Sequence, residues 1–361
     1  MSSTASSDPS DRRATREAAP RRAPRTAADP RRWVATRPIA IAGLGGYVPE
    51  HVLDNAELER RVETSDDWIR TRTGIRERRI AAVGQATSDL AAEAGREALA
   101  RAELAPEALE LIVLASATGD SPVPASACHV QRKLGAGSAT AFDIGAGCTG
   151  FIMALMTAHG LLGTGAFGNA LVIGAEVLSS ITDYRARETC VLLGDGAGAM
   201  VLRANGSGAR VLDHLTGCDG SLADLIQVRA GGSLRPASTE TVERREHYLE
   251  MRGREVFRFA ARMVPEVVRN LLARNGCGPQ DVALFVPHQA NLRILEAVAG
   301  ELGVELSRFA INLDRLGNTS AASIPLALAE AQRSGRLSAG DRVVLVAFGA
   351  GMCWGATLLE W

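Results

Sequence analysis

The fold of this chain is decided by the stretch Phe142-Asp143-Ile144-Gly145-Ala146-Gly147-Cys148-Thr149-Gly150-Phe151-Ile152-Met153-Ala154-Leu155. It begins as an apolar strand, turns at glycines and continues with the apolar spacing of a helix. Cys148 falls at the junction, where unpaired backbone N–H groups and the positive end of the helix dipole favour a thiolate over a thiol. The pattern therefore predicts a nucleophile. The ordinary alternative is a buried cysteine that packs as a small hydrophobic side chain.

Composition limits the function classes. The 361 residues are 46% hydrophobic, which is enough for one large core or two related ones. A formal net charge of -1 argues against nucleic acid as the main partner, and no apolar run is long enough to span a bilayer. The six cysteines show no C-x-x-C pair and no metal-ligand spacing. We expect a soluble cytoplasmic protein with reduced thiols and without a metal, nucleic acid or membrane partner.

The chain is predicted to have three parts. Residues 1–36 form a leader rich in Arg, Pro and Ala without apolar periodicity, which is typical of disorder. Residues 37–205 and 206–361 are expected to form two α/β halves. Their ends match, Gly198-Ala199-Met200-Val201-Leu202 against Gly355-Ala356-Thr357-Leu358-Leu359, which indicates an internal duplication.

Strands and helices alternate along both halves. Strands are predicted over 39–46, 109–115, 170–173, 194–202, 282–286, 310–313 and 342–348, and helices over 55–62 and 87–104 and after 128, 148, 291 and 325. This order predicts mostly parallel sheets covered by helices on both faces.

Three polar or reactive side chains follow predicted strands. Cys148, His288 and Asn318 are far apart in sequence, but ligands in such sheets bind outside the carboxyl ends of strands. One Cys, one His and one Asn at these ends can form a nucleophilic site. A single His after a strand is more often structural, but His288 precedes a polar helix start and has Asn318 as a candidate partner.

A second candidate site is the stretch 64–79, which places Trp68 among several arginines. An indole can stack on a base while guanidinium groups bind phosphates, so this composition suits a nucleotide. An ordinary charged surface loop has the same composition. The glycine-rich run Gly194–Ala199 enters a strand, whereas a phosphate-binding loop leaves a strand and opens a helix, so we assign it to close backbone packing.

Five motifs together resemble the β-ketoacyl-acyl carrier protein synthase III family over about residues 39–361. The motifs are Asp66–Ile75, the turn at Cys148, Gly194–Ala199, Pro287-His288-Gln289-Ala290-Asn291-Leu292-Arg293 and Gly317-Asn318-Thr319-Ser320-Ala321-Ala322-Ser323. The resemblance implies an α/β thiolase fold, with duplicated βαβ-rich halves stacked in five α-β-α-β-α layers. It also implies a homodimer.

The resemblance implies a chemistry as well. Cys148 would attack an acyl-CoA thioester to form an acyl-enzyme, and malonyl-acyl carrier protein would bind next. His288 and Asn318 would stabilise the enolate formed as CO2 leaves, and this carbon would attack the acyl group. The backbone N–H groups of Cys148 and Ala350 would form the oxyanion hole, although the family usually has glycine in place of Ala350. CoA and carrier thioesters would be substrates, with no cofactor.

Further residues are implied by the same resemblance. For CoA they are Trp68, Arg72, Arg187, Gly253 and Asn291; for the acyl pocket Val123, Leu193 and Phe348; and for carrier protein docking Arg293 and Arg258. Two departures stand out. Val123 replaces a phenylalanine that narrows the pocket across the dimer in acetyl-preferring members, which favours larger acyl groups. Gly300-Glu301 replaces two lysines of the best-known bacterial members, which favours weaker carrier docking.

Several alternatives stay open at this point. The product could prime a fatty acid or a polyketide. An acyltransferase on the same fold would pass the acyl group to an alcohol or thiol without decarboxylation, and a non-catalytic acyl-CoA binding partner would keep only the fold. A hydroxymethylglutaryl-CoA synthase-like enzyme would need a glutamate as acid and base; no motif places one, and Glu176 is left open as that glutamate.

Overall fold

The computed structural model describes residues 37–361, and the predicted leader 1–36 lies outside the described residues. The helices are α1 Asn55–Glu59, α2 Asp66–Thr73, α3 Thr87–Arg101, α4 Ser126–Leu134, α5 Gly150–Gly163, α6 Arg187–Cys190, α7 Thr239–Glu243, α8 Gly253–Arg274, α9 Leu292–Leu302, α10 Leu313–Leu316 and α11 Ser323–Arg333. The strands are β1 Ile39–Tyr47, β2 His51–Asp54, β3 Glu77–Ile80, β4 Leu111–Ala115, β5 Thr140–Ile144, β6 Asn169–Glu176, β7 Gly196–Ala204, β8 Arg210–Cys218, β9 Ile226–Val228, β10 Leu249–Met251, β11 Leu284–Pro287, β12 Arg342–Gly349 and β13 Cys353–Glu360.

The two halves repeat one sheet topology. In the first half the strand order is β5-β4-β6-β7-β1, with β4 parallel to both neighbours and β7 antiparallel to both. In the second half the strand order is β11-β12-β13-β8. Here β11 is parallel to β12, and β13 is antiparallel to both of its neighbours, as β7 is in the first half. Phe309 adds a parallel bridge to Phe285 of β11, at the place that β5 has beside β4. The structure is therefore duplicated, as the matching strand ends predict.

Three of the clusters of buried apolar side chains lie between the layers of a five-layer arrangement. One cluster lies between α3, α4 and the outer face of the first sheet, and another between α8, α9 and the outer face of the second sheet. The central cluster joins the inner faces of both sheets to α5 and α11, which are almost wholly apolar on the packed side. This places α5, which begins just after Cys148, at the centre of the molecule.

Three features differ from the sequence-based expectations. The prediction of mostly parallel sheets is wrong: in the nine-stranded sheet, three neighbouring strand pairs are parallel and five are antiparallel. One reason is that β13 returns from β12 through a short turn, which gives an antiparallel pair, instead of through the helical crossover that a parallel pair needs.

The strand predicted over 310–313 is wrong, because Gln289 takes the backbone groups that a strand would use: its amide donates to Ala310 O at 3.0 Å and its Oε1 accepts from Asn312 N at 3.1 Å. The chain then turns into α10. No helix is predicted over Gly253–Arg274, where α8 forms with Pro265 inside it.

None of the helices formed by residues 37–361 has the length and apolarity to cross a membrane.

Candidate active site

A cavity of about 460 Å³ reaches from the surface to Cys148. Both halves of the fold line it, so residues that are distant in sequence meet there. All three side chains predicted to form the nucleophilic site, Cys148, His288 and Asn318, belong to its lining. The duplication thus brings the carboxyl end of β5 in the first half against the ends of β11 and β12 in the second.

Cys148 lies in a single tight turn between β5 and α5. Residues Gly147–Thr149 form one 3₁₀ turn, and α5 begins at Gly150. Gly147 has φ +50°, which favours glycine, and a Cβ there would lie 3.2 Å from the Ala350 Cβ. A Cβ on Gly349 would lie 2.9 Å from the Cys148 Cβ, so the end of β12 packs directly against the nucleophile. Glycine at these two positions allows this close approach.

The resting state of Cys148 differs from the sequence-based expectation. Burial raises the pKa of its thiol to about 11, and the nearby Glu176 carboxylate also raises it. A hydrogen bond from Ser320 acts in the opposite direction but does not offset burial. The start of α5 favours the thiolate, as the sequence indicates, but this local effect does not offset desolvation, and the pKa of the Cys148 thiol is raised overall.

A pH series can measure this thiol directly. With a pKa of about 11, we expect alkylation of Cys148 by iodoacetamide to speed up about tenfold per pH unit from pH 7 to pH 10, because only the thiolate reacts. Peptide mass spectrometry would follow Cys148, with the exposed Cys128 as the reference within the same sample. A rate that levels off between pH 7 and pH 8 would contradict the raised pKa.

His288 is buried at the end of β11 and held by one side of its ring. Its Nδ1 lies 2.8 Å from Ser323 Oγ, and that hydroxyl also lies 2.7 Å from Ser320 O. Burial lowers the pKa of His288 to about 3, so the imidazole is neutral near pH 7. Because Nδ1 is engaged by Ser323, Nε2 is the ring nitrogen left for a ligand in the cavity.

Asn318 is fixed by its backbone and by one side of its amide. Its N–H donates to Leu192 O at 2.8 Å and its carbonyl accepts from Gly194 N at 3.0 Å, so it bridges the two halves. Its Oδ1 accepts from Ser320 N at 2.9 Å. This bond orients the amide so that Nδ2, a donor, is left for the cavity that Asn318 lines.

Ser320 and Glu176 lie beside the predicted nucleophilic site, although the sequence pattern does not place either of them next to Cys148. Ser320 has φ +47°, and its hydroxyl donates to Glu176 Oε1 at 2.9 Å. Glu176 also accepts from the Thr118 hydroxyl at 2.6 Å and from Ala117 N at 3.0 Å. The buried Glu176 side chain therefore holds the Ser320 hydroxyl in place. It is not among the cavity-lining residues, which argues against Glu176 as an acid and base acting on a substrate.

The residues predicted for CoA converge at the exposed end of the cavity. Trp68, Arg72, Arg187 and Gly253 all line it. The Arg187 guanidinium lies 4.8 Å from the centre of the Trp68 ring, and Arg187 Nη1 donates to Glu63 O at 3.0 Å. An aromatic face beside cationic side chains therefore exists at this entrance, as the composition of 64–79 suggests.

Asn291 lines the cavity, but its amide already serves the fold. Its Oδ1 accepts from Arg293 N and caps α9, while its Nδ2 donates to Arg72 O at 3.2 Å. Arg293 is exposed and donates from Nε to Thr71 O at 3.1 Å. Both residues therefore hold α9 of the second half against α2 of the first.

The remaining predicted residues fall in three places. Leu193 and Phe348 line the cavity near Cys148. Val123 is 83% exposed, on the loop before α4, and is not among the lining residues of its own chain. Arg258 lies outside this cavity, in a shallow groove on α8 that it shares with Arg262, Arg269 and Glu301.

Among residues 37–361, no group of three His, Cys, Asp or Glu side chains is placed to hold a metal ion.

Comparison with known proteins tests the resemblance. The model for 3-oxoacyl-[acyl-carrier-protein] synthase III matches residues 142–220, and the model for its C-terminal part matches residues 272–361. The β-ketoacyl-[acyl-carrier-protein] synthase III of Symbiobacterium thermophilum is 50% identical over 325 residues, covering 90% of this chain and 98% of the relative. The chain belongs to the β-ketoacyl-[acyl-carrier-protein] synthase III family.

Two solved structures share its fold. The crystal structure of the Aquifex aeolicus enzyme is 43% identical, with a TM-score of 0.82, and covers 90% of this chain and 100% of that one. The priming β-ketosynthase of the R1128 polyketide pathway is 32% identical, with a TM-score of 0.82, and covers 95% of this chain and 99% of that one. The predicted thiolase fold is confirmed, and membership in this family makes the chain a condensing enzyme of the acyltransferase class.

Proposed function

We propose that this chain condenses an acyl-CoA starter with malonyl-acyl carrier protein, with loss of CO2, and so begins a fatty acid or polyketide chain. The observation that carries the proposal is the single cavity in which Cys148, His288 and Asn318 meet. A nucleophile and two neutral hydrogen-bond donors are what acyl transfer followed by decarboxylation needs. The named relatives are synthase III enzymes, which supports the same reaction class.

The first step is acyl transfer to Cys148. Its sulfur attacks the thioester carbonyl, the C–S bond to CoA breaks, and the thiol proton ends on the departing CoA sulfur. The backbone N–H groups of Cys148 and Ala350 stabilise the tetrahedral oxyanion. Two observations support Ala350 in this role. It lines the cavity, and it packs against Gly147, where an added Cβ would lie 3.2 Å from the Ala350 Cβ.

The second step is decarboxylation and carbon bond formation. The C–C bond to the malonyl carboxylate breaks, and CO2 leaves. The electron pair of that bond forms an enolate, whose oxygen receives hydrogen bonds from Asn318 Nδ2 and His288 Nε2. Nε2 carries the ring proton in the tautomer in which the Ser323 hydroxyl gives its single proton to Nδ1, 2.8 Å away, instead of to Ser320 O, 2.7 Å away. The enolate carbon then attacks the acyl carbonyl, the C–S bond to Cys148 breaks, and the released sulfur takes a proton from water to restore the thiol.

CoA is proposed to lie along the same cavity. Trp68 and Arg187 at its exposed end suit the adenine ring and phosphates, with Arg72 and Gly253 beside them, while Asn291 faces the pantetheine arm. The reaction uses CoA and phosphopantetheine thioesters as substrates and needs no bound cofactor.

Acyl group size is proposed to depend on Val123 from a second copy of the chain. Leu193 and Phe348 line the pocket from within one chain, and Val123 is exposed in that chain. The edge strand β5, which pairs only with β4 among the described strands, is the proposed contact between copies of the homodimer.

A substitution at this position tests the specificity. We expect the wild type to use butyryl-CoA or isobutyryl-CoA at least as well as acetyl-CoA. In Val123→Phe, the added ring should shift the ratio of kcat/KM values at least about tenfold toward acetyl-CoA. Val242→Phe, at a residue that is 62% exposed on α7, serves as the matched control. An unchanged ratio in Val123→Phe would remove Val123 from the acyl pocket.

The carrier protein is proposed to dock on the basic groove of α8 and on Arg293. Arg258, Arg262 and Arg269 share this groove, which has a volume of about 580 Å³. Glu301 also lies there, facing Arg269 at 4.0 Å, which reduces the positive charge available to an acidic carrier.

Charge reversal on this groove tests the docking surface. Arg258→Glu is expected to lower kcat/KM for malonyl-acyl carrier protein about tenfold at low salt, with a smaller effect at high salt, because the contact is electrostatic. Acylation of Cys148 by acyl-CoA should not change. Arg132→Glu on α4, in the opposite outer layer, is the matched control. Equal losses in the two variants would place the carrier elsewhere.

The reaction itself is tested by measuring CO2 and product together. Intact mass spectrometry with a panel of acyl-CoAs detects the acylated chain, and addition of malonyl-acyl carrier protein should release one CO2 per β-ketoacyl product. Acylation followed by transfer without CO2 would favour the acyltransferase. Absence of acylation would favour a non-catalytic binding partner.

Both steps are expected to take place in the cytoplasm.

A further inference from the structure

Two cysteines face each other across neighbouring strands, away from the nucleophile. Cys218 ends β8 and Cys353 begins β13, and the two residues are direct partners in the antiparallel register. Their sulfur atoms are 2.7 Å apart, although the residues are separated by 135 positions in sequence. Neither is among the residues that line the cavity around Cys148.

The backbone at this pair has the geometry of a disulfide. In the next pair along the ladder, Asp219 N donates to Met352 O at 3.0 Å. Because hydrogen-bonded and non-hydrogen-bonded pairs alternate, Cys218 and Cys353 form a non-hydrogen-bonded pair, where Cα atoms are about 4.5 Å apart and side chains are closest. This spacing lies within the range of natural disulfides, so the sulfurs can close from 2.7 Å to about 2.05 Å without a shift of the strands.

We propose that Cys218 and Cys353 are an oxidation site, at which a hydroperoxide converts the two thiols into a reversible disulfide. The Cys218 sulfur attacks one peroxide oxygen, the O–O bond breaks, and a sulfenic acid forms while the other oxygen leaves as water from hydrogen peroxide or as an alcohol from an organic hydroperoxide. The Cys353 sulfur then attacks the Cys218 sulfur, the S–O bond breaks, and the sulfenic oxygen leaves as water with the remaining thiol proton. The thiols lose two electrons, which reduce the peroxide.

The exposures of the two thiols set their order of reaction. Cys218 is exposed, whereas Cys353 is half-buried. Burial, followed by the neighbouring Cys218, raises the pKa of Cys353 to about 12, so Cys353 is a poor first nucleophile toward an oxidant in solution. Cys218 is therefore the sulfur that is oxidised, and Cys353 is the one that resolves the sulfenic acid.

The disulfide would act on the turn that leads to the active site. Cys218 Sγ donates to Gly351 O at 3.3 Å, and oxidation removes that proton. Residues 350–352 connect Cys353 to Gly349, which is in close contact with Cys148. Loss of the hydrogen bond to Gly351 O leaves this turn less firmly held while the strands keep their register, and Ala350 N–H then moves relative to the nucleophile. This consequence rests on the proposed oxyanion role of Ala350, and we expect acylation to slow several-fold.

The modification is tested by oxidising the folded chain with hydrogen peroxide and mapping the product. We expect a mass loss of 2 Da, a cross-linked peptide pair containing Cys218 and Cys353, and full reversal by dithiothreitol. Cys218→Ser and Cys353→Ser should not show this loss, whereas Cys277→Ser, at another half-buried cysteine, should show it fully. A cross-link in wild type that joins other cysteines, or no loss of 2 Da, would overturn the proposal.

The effect on activity is tested separately. After the same oxidation, the acylation rate should fall several-fold further in wild type than in Cys218→Ser, since direct oxidation of Cys148 affects both proteins equally. If the two proteins lost acylation rate equally although mass spectrometry confirmed the disulfide in wild type, the link to Ala350 would be wrong. The oxidation site itself would still stand. A chain that forms the disulfide but is never acylated when reduced would contradict the proposed function instead.

Discussion

The Cys148→Ala variant is expected to form no acyl-enzyme and to lose at least about 10³-fold in condensation rate, because no other group can carry the acyl chain. The fold should be unaffected, since alanine keeps the Cβ that packs against Gly349. CO2 release from malonyl-acyl carrier protein should persist, because the proposed donors His288 and Asn318 remain. Intact mass spectrometry after incubation with acyl-CoA, together with a CO2 assay, measures the two steps separately.

The control for this variant is Cys128→Ala, which removes an exposed thiol on α4. It should be acylated and should condense at the wild-type rate. An acyl adduct on Cys148→Ala, located by peptide mapping on another cysteine or on Ser320, would show that Cys148 is not the nucleophile. Loss of the thermal transition in Cys148→Ala would instead show that its inactivity results from unfolding, and Cys148→Ser would then replace it.

Much of the site was predictable because the chemistry follows strand ends. Cys148 and His288 each come after an apolar run that forms a strand, and the strand-end rule places them together. Asn318 was placed correctly for the wrong reason. The strand predicted before it does not exist, and Asn318 is instead held by a bridge to Leu193 of the first half.

The protonation of the site was not predictable from local sequence. The turn around Cys148 favours a thiolate, but burial raises the pKa of the thiol. The contact with Gly349 of the other half contributes to this burial, whereas the hydrogen bond with Ser320, which belongs to the same half as Gly349, lowers the pKa. The orientation of the Asn318 amide likewise depends on a hydrogen bond from Ser320 N. A single sequence does not give such contacts, because they arise only when the two halves pack.

The second large effect is expected at the two donors. His288→Ala and Asn318→Asp should each lower the condensation rate about 10²–10³-fold, the usual cost of one lost oxyanion donor. In Asn318→Asp, a carboxylate oxygen would replace Nδ2 and repel the enolate, while the bond from Ser320 N to Oδ1 can remain. The loss should appear in kcat for malonyl-acyl carrier protein, and acylation by acyl-CoA should stay within about tenfold of wild type.

The pH dependence and a matched control separate these roles from general damage. Because the pKa of His288 is lowered to about 3, the condensation step of pre-acylated wild-type enzyme should show no histidine titration between pH 5 and pH 9. His51→Ala, at an exposed histidine on β2, should keep both steps. If His288→Ala and Asn318→Asp lost acylation as severely as condensation, the two side chains would act on Cys148 itself. The neutral-donor mechanism would then be wrong, because the decarboxylation step would no longer be the one that depends on them.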